Sequence, residues 1–136
     1  MNKYKILLVD DDPWLLRMMN QTLQDEGYQV TSKSSGEVAI EALGARDFDL
    51  VITDFKMGKT DGIAVLKEAK KVNPETMVIM YTGWPIDPIE LGADDYISKP
   101  CGLDELRKGV ASCLEKLESK RRGGRLNSIE QIDCSP

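Results

Sequence analysis

The chain of 136 residues has no histidine, only three cysteines and few aromatic residues. The lack of histidine excludes imidazole acid–base chemistry, a phosphohistidine on this chain and most transition-metal sites. Cys101, Cys113 and Cys134 show no Cys-x-x-Cys spacing. This pattern indicates free thiols in a reducing compartment rather than a zinc site or a disulfide framework. Chemistry on this chain must therefore come from carboxylates, lysines and hydroxyls.

Long hydrophobic runs are also lacking. No apolar stretch approaches the roughly 20 residues that span a bilayer, and no signal-peptide pattern precedes the apolar run at Ile6. We therefore expect a cytoplasmic protein without a membrane partner. The formal net charge is −5. Because nucleic-acid binding requires basic surface, we expect no direct nucleic-acid partner.

Short apolar runs alternate with amphipathic stretches along the chain. This alternation predicts βαβ units around a buried parallel sheet. The five predicted strands are Ile6 to Val9, Val30 with its neighbours, Leu50 to Thr53, Met77 to Tyr81 and Asp95 to Ser98. Length and composition predict one domain over residues 1–120, and the basic and polar residues 121–136 predict a flexible C-terminal tail.

Helix signals stand between most of these strands. The predicted helix starts are Asp12-Pro13, the capping-box pattern Ser34-x-x-Glu37, and Asp61-Gly62. A final helix carries an apolar stripe with spacings of three and four, formed by Leu103, Leu106, Val110, Cys113 and Leu117. Between strands four and five, Gly83, Pro85 and Pro88 leave room for one helical turn at most. The predicted fold class is α/β, a doubly wound, flavodoxin-like sheet of strand order 2-1-3-4-5 with a shortened or missing fourth helix.

The ends of the predicted strands carry an acidic cluster. In open parallel sheets, the functional site lies beyond the carboxyl ends of the strands. Asp10 and Asp11 follow strand one, Asp54 follows strand three, Thr82 follows strand four and Lys99 follows strand five. Carboxylates that close together favour a hard divalent cation, Mg²⁺ above all. Such a site suits phosphoryl chemistry, with Asp54 as the nucleophile and Lys99 and Thr82 sharing the charge of the phosphoryl oxygens.

These motifs resemble the receiver domains of bacterial two-component response regulators, and are similar to the single-domain chemotaxis receivers. The resemblance covers about residues 3–117. It is carried by Ile6-Leu7-Leu8-Val9-Asp10-Asp11-Asp12-Pro13, Val51-Ile52-Thr53-Asp54-Phe55-Lys56-Met57, Asp61-Gly62, Thr82 and Ala93-Asp94-Asp95-Tyr96-Ile97-Ser98-Lys99-Pro100.

The resemblance implies that a sensor histidine kinase, a phosphotransfer protein or a small acyl phosphate phosphorylates Asp54. Mg²⁺ would be held by Asp11, Asp54 and the backbone carbonyl of Lys56, with Asp10 acting partly through water. The resemblance also implies that such a chain is not an enzyme in the usual sense, because it catalyses only its own phosphorylation and dephosphorylation.

The resemblance further implies a conformational switch. Lys99 and Thr82 would bind the phosphoryl oxygens, and Tyr96 would turn inward as Thr82 moves, shifting a two-state equilibrium. The output would be contact with a protein partner that the sequence does not identify, and the family's surfaces also allow a homodimer. Two departures affect this output: Gly58 stands where proline is usual, and the segment from Thr82 to Lys99 is short.

Two alternatives follow from the same residues. The missing fourth helix and Gly58 are compatible with an adaptor of the same fold that acts without phosphorylation. Asp10-x-Asp12 after an apolar strand also looks like the nucleophile motif of haloacid-dehalogenase-type phosphatases, with Thr82, Lys99 and Asp94-Asp95 in the supporting roles. Against this alternative, Pro13 stands where Thr or Val is usual, and Asp54 is left without a role.

Overall fold

The computed structural model of the chain describes residues 3–85, 87 and 89–133, with side chains described as far as residue 123. Within these residues the strands are β1 (Lys5–Val9), β2 (Gln29–Lys33), β3 (Leu50–Thr53), β4 (Met77–Thr82) and β5 (Asp95–Ser98). The helices of the same residues are α1 (Pro13–Asp25), α2 (Gly36–Ala45), α3 (Gly62–Val72) and α4 (Leu103–Asp133).

The five strands form one parallel sheet with the order β2-β1-β3-β4-β5. This order confirms the predicted doubly wound topology. The register pairs Val9 with Thr53 and Thr82 with Ser98. The residues that follow these positions therefore meet at one edge of the sheet, which is where the predicted site should lie.

Helices cover both faces of the sheet, and each face has its own apolar core. Along β1, Ile6 and Leu8 face the layer of α1 and α4, whereas Leu7 and Val9 face the layer of α2 and α3. Successive side chains of a strand point to opposite faces. Since both faces are covered, the strand is apolar at every position from Ile6 to Val9, as is typical of a parallel sheet.

The helix starts agree with the sequence at two of the three predicted places. Asp12 caps α1 by accepting from the backbone N–H of Trp14 at 3.0 Å, and Asp61 caps α3. The cap of α2 is Ser35, which accepts from Val38 N at 3.3 Å, so the predicted cap at Ser34 is wrong by one residue. With Ser35 as the cap, Glu37 is the second residue of α2 rather than the third, so the predicted capping box does not form.

The connection between β4 and β5 contains no helix in its described residues, which confirms the shortened fourth helix. A single turn over residues 89–92 is closed by a hydrogen bond of 3.0 Å from Gly92 N to the Ile89 carbonyl. The apolar stripe of α4 packs into the core, with Leu106, Val110 and Leu117 buried.

Helix α4 continues past the predicted domain boundary at residue 120. Residues 121–133 are helical. The flexibility expected for residues 121–136 stays a prediction, and residues 134–136 lie outside the described part. Ion pairs support the first turn beyond the boundary: Arg121 lies 2.8 Å from Asp49 and 3.7 Å from Glu118. The division into two units stays a prediction. No described helix has the length and apolarity to span a bilayer.

Candidate functional site

The carboxyl edge of the sheet brings the predicted residues together. Asp10 and Asp11 follow β1 directly, Asp54 follows β3, Thr82 is the last residue of β4 and Lys99 follows β5. Asp10 is 2% exposed and Asp54 is 9% exposed, whereas Asp11 is open to solvent. The site is thus a pair of buried carboxylates, Asp10 and Asp54, beside the solvent-exposed carboxylate of Asp11.

The Lys99 ammonium joins the two buried carboxylates. It donates to Asp54 Oδ2 at 2.8 Å and to Asp10 Oδ2 at 3.0 Å. Burial lowers the pKa of Lys99, but its hydrogen bonds to Asp54 and Asp10 outweigh that effect, so the pKa is raised overall. Burial raises the pKa of the Asp10 carboxyl despite its bonds to Asp12 N and Lys99. One lysine therefore offsets two carboxylates only in part.

Three carboxylates converge closely enough to hold a metal ion. One oxygen each from Asp10, Asp11 and Asp54 lies within 4.8 Å of the other two. All three donors are hard oxygens, which is the ligand type that Mg²⁺ prefers. The residues present therefore fit a divalent cation. Lys56, whose carbonyl is the fourth predicted ligand, lies on the exposed loop two residues after Asp54, and its ligand role stays a prediction.

Three residues whose contacts the sequence did not predict hold the backbone around Asp54. Thr53 is fully buried and its hydroxyl donates to the Asp54 carbonyl at 2.9 Å. The N–H of Phe55 donates to Asp54 Oδ1 at 2.7 Å, which orients the carboxylate. A Cβ on Gly62 would lie 2.0 Å from the Asp54 carbonyl oxygen, so only glycine fits there. The sequence held one signal of this contact: Asp61 caps α3, so the glycine that follows it is not needed for capping.

Thr82 and Tyr96, the predicted switch residues, are in contact. The Tyr96 hydroxyl donates to the backbone carbonyl of Thr82 at 3.3 Å, and its ring is partly buried against the core between the sheet and α2 and α3. The Thr82 hydroxyl is buried and accepts from Trp84 N at 3.1 Å. Because the hydroxyl oxygen is the acceptor in this bond, its proton can be donated to another group.

The structure does not assemble the residue set of the phosphatase alternative. Asp94 and Asp95 stand at the amino end of β5, at the opposite edge of the sheet from Asp10. The Asp94 carboxylate accepts from Lys70 Nζ at 2.7 Å and from Val78 N at 2.8 Å. It is thus occupied in joining α3, β4 and β5.

A small pocket opens above the site. It has a volume of about 290 Å³ and is lined by Asp54, Gly83, Trp84, Pro85 and Lys99. Trp84 and Pro85 belong to the segment that replaces the fourth helix, and Trp84 is 46% exposed. The pocket offers the Asp54 carboxylate and the Lys99 ammonium to a small incoming group.

Comparisons with known proteins agree with this geometry. The family model described as "Response regulator receiver domain" matches residues 6–111. The chain is 35% identical over 134 residues to the alginate biosynthesis transcriptional regulatory protein AlgB of Pseudomonas putida, covering 95% of this chain and 29% of AlgB. It is 35% identical over 119 residues to the transcriptional regulatory protein ZraR of Escherichia coli K12, covering 84% of this chain and 27% of ZraR.

A solved structure gives the same result. The CheY-like response regulator receiver domain protein of Methanospirillum hungatei JF-1 superposes with a TM-score of 0.83 at 29% identity, covering 88% of this chain and 99% of that chain. The chain spans under a third of the length of the two curated relatives.

Proposed function

Because this chain belongs to the response regulator receiver domain family, we propose that Asp54 is its phosphoacceptor and that phosphorylation switches its contact with a protein partner. The observation that carries this proposal is the hydrogen bond of 2.8 Å between the Lys99 ammonium and Asp54 Oδ2, two groups that line the same open pocket. Phosphorylation on aspartate is standard for two-component receivers. Asp54 combines burial, a bonded lysine and a place in the lining of that pocket.

The carboxylate oxygen of Asp54 attacks the phosphorus of the donor, and the bond from phosphorus to the leaving group breaks with its electron pair going to the leaving group. The Phe55 N–H fixes the orientation of the carboxylate through Oδ1. As negative charge moves from the carboxylate to the phosphoryl oxygens, the Lys99 ammonium pairs with those oxygens. The Thr82 hydroxyl donates a hydrogen bond to the same oxygens. Asp10 keeps Lys99 in place through its own bond of 3.0 Å.

A Mg²⁺ ion held by Asp10, Asp11, Asp54 and the Lys56 carbonyl would neutralise charge on the transferring group. The close approach of three carboxylate oxygens supports this assignment. With such an ion and Lys99 beside it, the carboxylate pair would lose most of its mutual repulsion. The chain would then catalyse only its own phosphorylation and dephosphorylation.

The phosphodonor in this proposal is a sensor histidine kinase or a phosphotransfer protein, and the output is contact with a protein partner or a second copy. The net charge of −5 supports a protein rather than a nucleic-acid surface for the output. A cytoplasmic location is part of the same proposal, since the phosphodonor acts there.

Intact mass spectrometry after incubation with acetyl phosphate and Mg²⁺ tests the proposal. We expect one phosphoryl adduct that disappears with a chelator and in Asp54→Asn. Asp25→Asn on the exposed side of α1 is the matched control and should take up the adduct like the wild type. An adduct that persists in Asp54→Asn would refute the assignment.

A protein that is folded but forms no adduct and binds no beryllofluoride, which mimics the phosphoryl group, would favour the adaptor alternative instead. The short segment between β4 and β5 is the feature that would serve such an adaptor, because it exposes Trp84 and Ile89.

A further inference from the structure

Trp84 joins the two loops that border the phosphoacceptor. The Lys56 ammonium, on the loop after β3, lies 4.6 Å from the centroid of the Trp84 ring. The Phe55 ring lies 6.4 Å from the same indole at an interplanar angle of 58°. The backbone N–H of Trp84 donates to the Thr82 hydroxyl. We call the contact between the Lys56 ammonium and the Trp84 indole the Lys56–Trp84 clasp.

The clasp borders the pocket in which the proposed chemistry takes place. Trp84 lines that pocket together with Asp54 and Lys99. Lys56 is exposed and lies only two residues along the chain from Asp54. The exposed Lys56 ammonium therefore lies over an aromatic ring that lines the same pocket as the Asp54 carboxylate. Lys99 is the cation that is already bonded to Asp54.

The clasp is weak compared with the charge that phosphorylation would bring. A cation over an exposed aromatic ring gains only about a two- to fivefold preference for the contact. A phosphoryl group carries about two negative charges at neutral pH and offers strong acceptor oxygens. It competes for the ammonium through direct charge attraction and hydrogen bonds, whereas the indole offers only its ring face.

We propose that a phosphoryl group on Asp54 draws the Lys56 ammonium off the Trp84 indole. Lys56 then becomes the second cation on the phosphoryl oxygens beside Lys99, and the indole face is uncovered on the surface that replaces the fourth helix. This inference rests on the proposed function of Asp54. It assigns a phosphoryl-binding role to the side chain of Lys56, separate from the role of its carbonyl.

Acrylamide quenching of Trp84 fluorescence tests the inference. Trp14, which is 68% exposed on α1, is first replaced by phenylalanine so that Trp84 is the single reporter. In this Trp14→Phe background we compare Lys56→Met with Lys59→Met. Lys59 is exposed on the same loop, so its variant removes an equal charge without touching the indole contact.

Addition of Mg²⁺ and beryllofluoride should raise the quenching constant of Trp84 in the Trp14→Phe background and in its Lys59→Met variant. In the Lys56→Met variant the indole should be accessible from the start, and its quenching constant should not change. Binding of beryllofluoride, followed by ¹⁹F NMR, should weaken about two- to fivefold with Lys56→Met, the range of a partly exposed ion pair, and stay unchanged with Lys59→Met.

Intact mass after acetyl phosphate treatment separates the two hypotheses. If Asp54 takes up the phosphoryl group but Trp84 responds in the Lys56→Met variant as it does with Lys56 present, the clasp inference is wrong and the proposed function stands. If no variant takes up a phosphoryl group or binds beryllofluoride, both are wrong.

Discussion

Replacing Gly62 by alanine should damage the protein at the phosphoacceptor itself. Gly62 is the first residue of α3, and a Cβ there would lie 2.0 Å from the Asp54 carbonyl oxygen and 2.9 Å from its carbonyl carbon. Since Cβ contacts below 3.0 Å essentially never occur, the two backbones must separate by at least 3.0 − 2.0 = 1.0 Å. The hydrogen bond of 2.6 Å from Gly62 N to the Phe55 carbonyl would lengthen with them.

The expected size follows from three contributions. Overpacking against rigid backbone costs about 1–3 kcal/mol, and weakening the bond to Phe55 costs about 1 kcal/mol. The better helix propensity of alanine returns about 1 kcal/mol. We therefore expect Gly62→Ala to lower the free energy of unfolding by about 1–3 kcal/mol, and to slow phosphorylation because the Asp54 carbonyl moves.

Gly44→Ala is the matched control. Gly44 lies in α2, and a Cβ there meets no atom within 4 Å. Only the propensity contribution remains, so this variant should gain about 0.5–1 kcal/mol. Urea unfolding followed by far-UV circular dichroism measures both variants. If both substitutions shift the midpoint in the same direction, the packing account of Gly62 is refuted.

The charged groups at both edges of the sheet lead to three more expectations. Because burial raises the pKa of Asp10, its ionisation lowers the free energy of unfolding as the pH rises through that raised value. With a chelator present, Asp10→Asn should therefore unfold at a higher urea concentration than the wild type. The gap should widen from acidic to neutral pH, and a constant gap would contradict this cause. Mg²⁺ at a hundred times its Kd should raise the free energy of unfolding by about 2.7 kcal/mol. In a thermal or urea titration, Asp11→Ala should lose most of this gain. An unchanged gain would show that Asp11 is not a ligand of the ion. Asp94→Ala should cost about 1–3 kcal/mol in urea unfolding, because the buried N–H of Val78 loses its acceptor. The exposed Glu75→Ala should stay within about 0.5 kcal/mol, and an equal loss in both variants would contradict the role of Asp94.

The topology and the placement of the site residues could be predicted because each depends on a local pattern. Continuous apolar runs such as Ile6 to Val9 indicate strands buried on both faces, and their alternation with helices leaves few parallel arrangements. Residues that end such strands meet at one edge whatever the loops do. Asp10, Asp54 and Lys99 are therefore placed together by topology, although 45 residues separate Asp54 from Lys99 along the chain.

Helix ends were predicted less well, because competing partners decide them. Ser34 and Ser35 are equally suited to cap α2 by residue type, and the structure uses Ser35, whose side chain accepts from Val38 N. Residues 121–133 carry a composition that is typical of a tail. In their first turn, Arg121 bonds to Asp49, a residue 72 positions away in the chain that no local pattern could identify as its partner.

The sequence by itself determined the class of the fold and the set of carboxylates, hydroxyl and ammonium at the strand ends, because periodicity and strand ends are local properties of the chain. Only the tertiary structure decided that Gly62 lies against the Asp54 carbonyl and that Lys56 lies over Trp84. These contacts depend on the paths of two loops through space. The periodicity of hydrophobic residues does not predict those paths, because loop conformation is set by packing between segments that are distant in the chain.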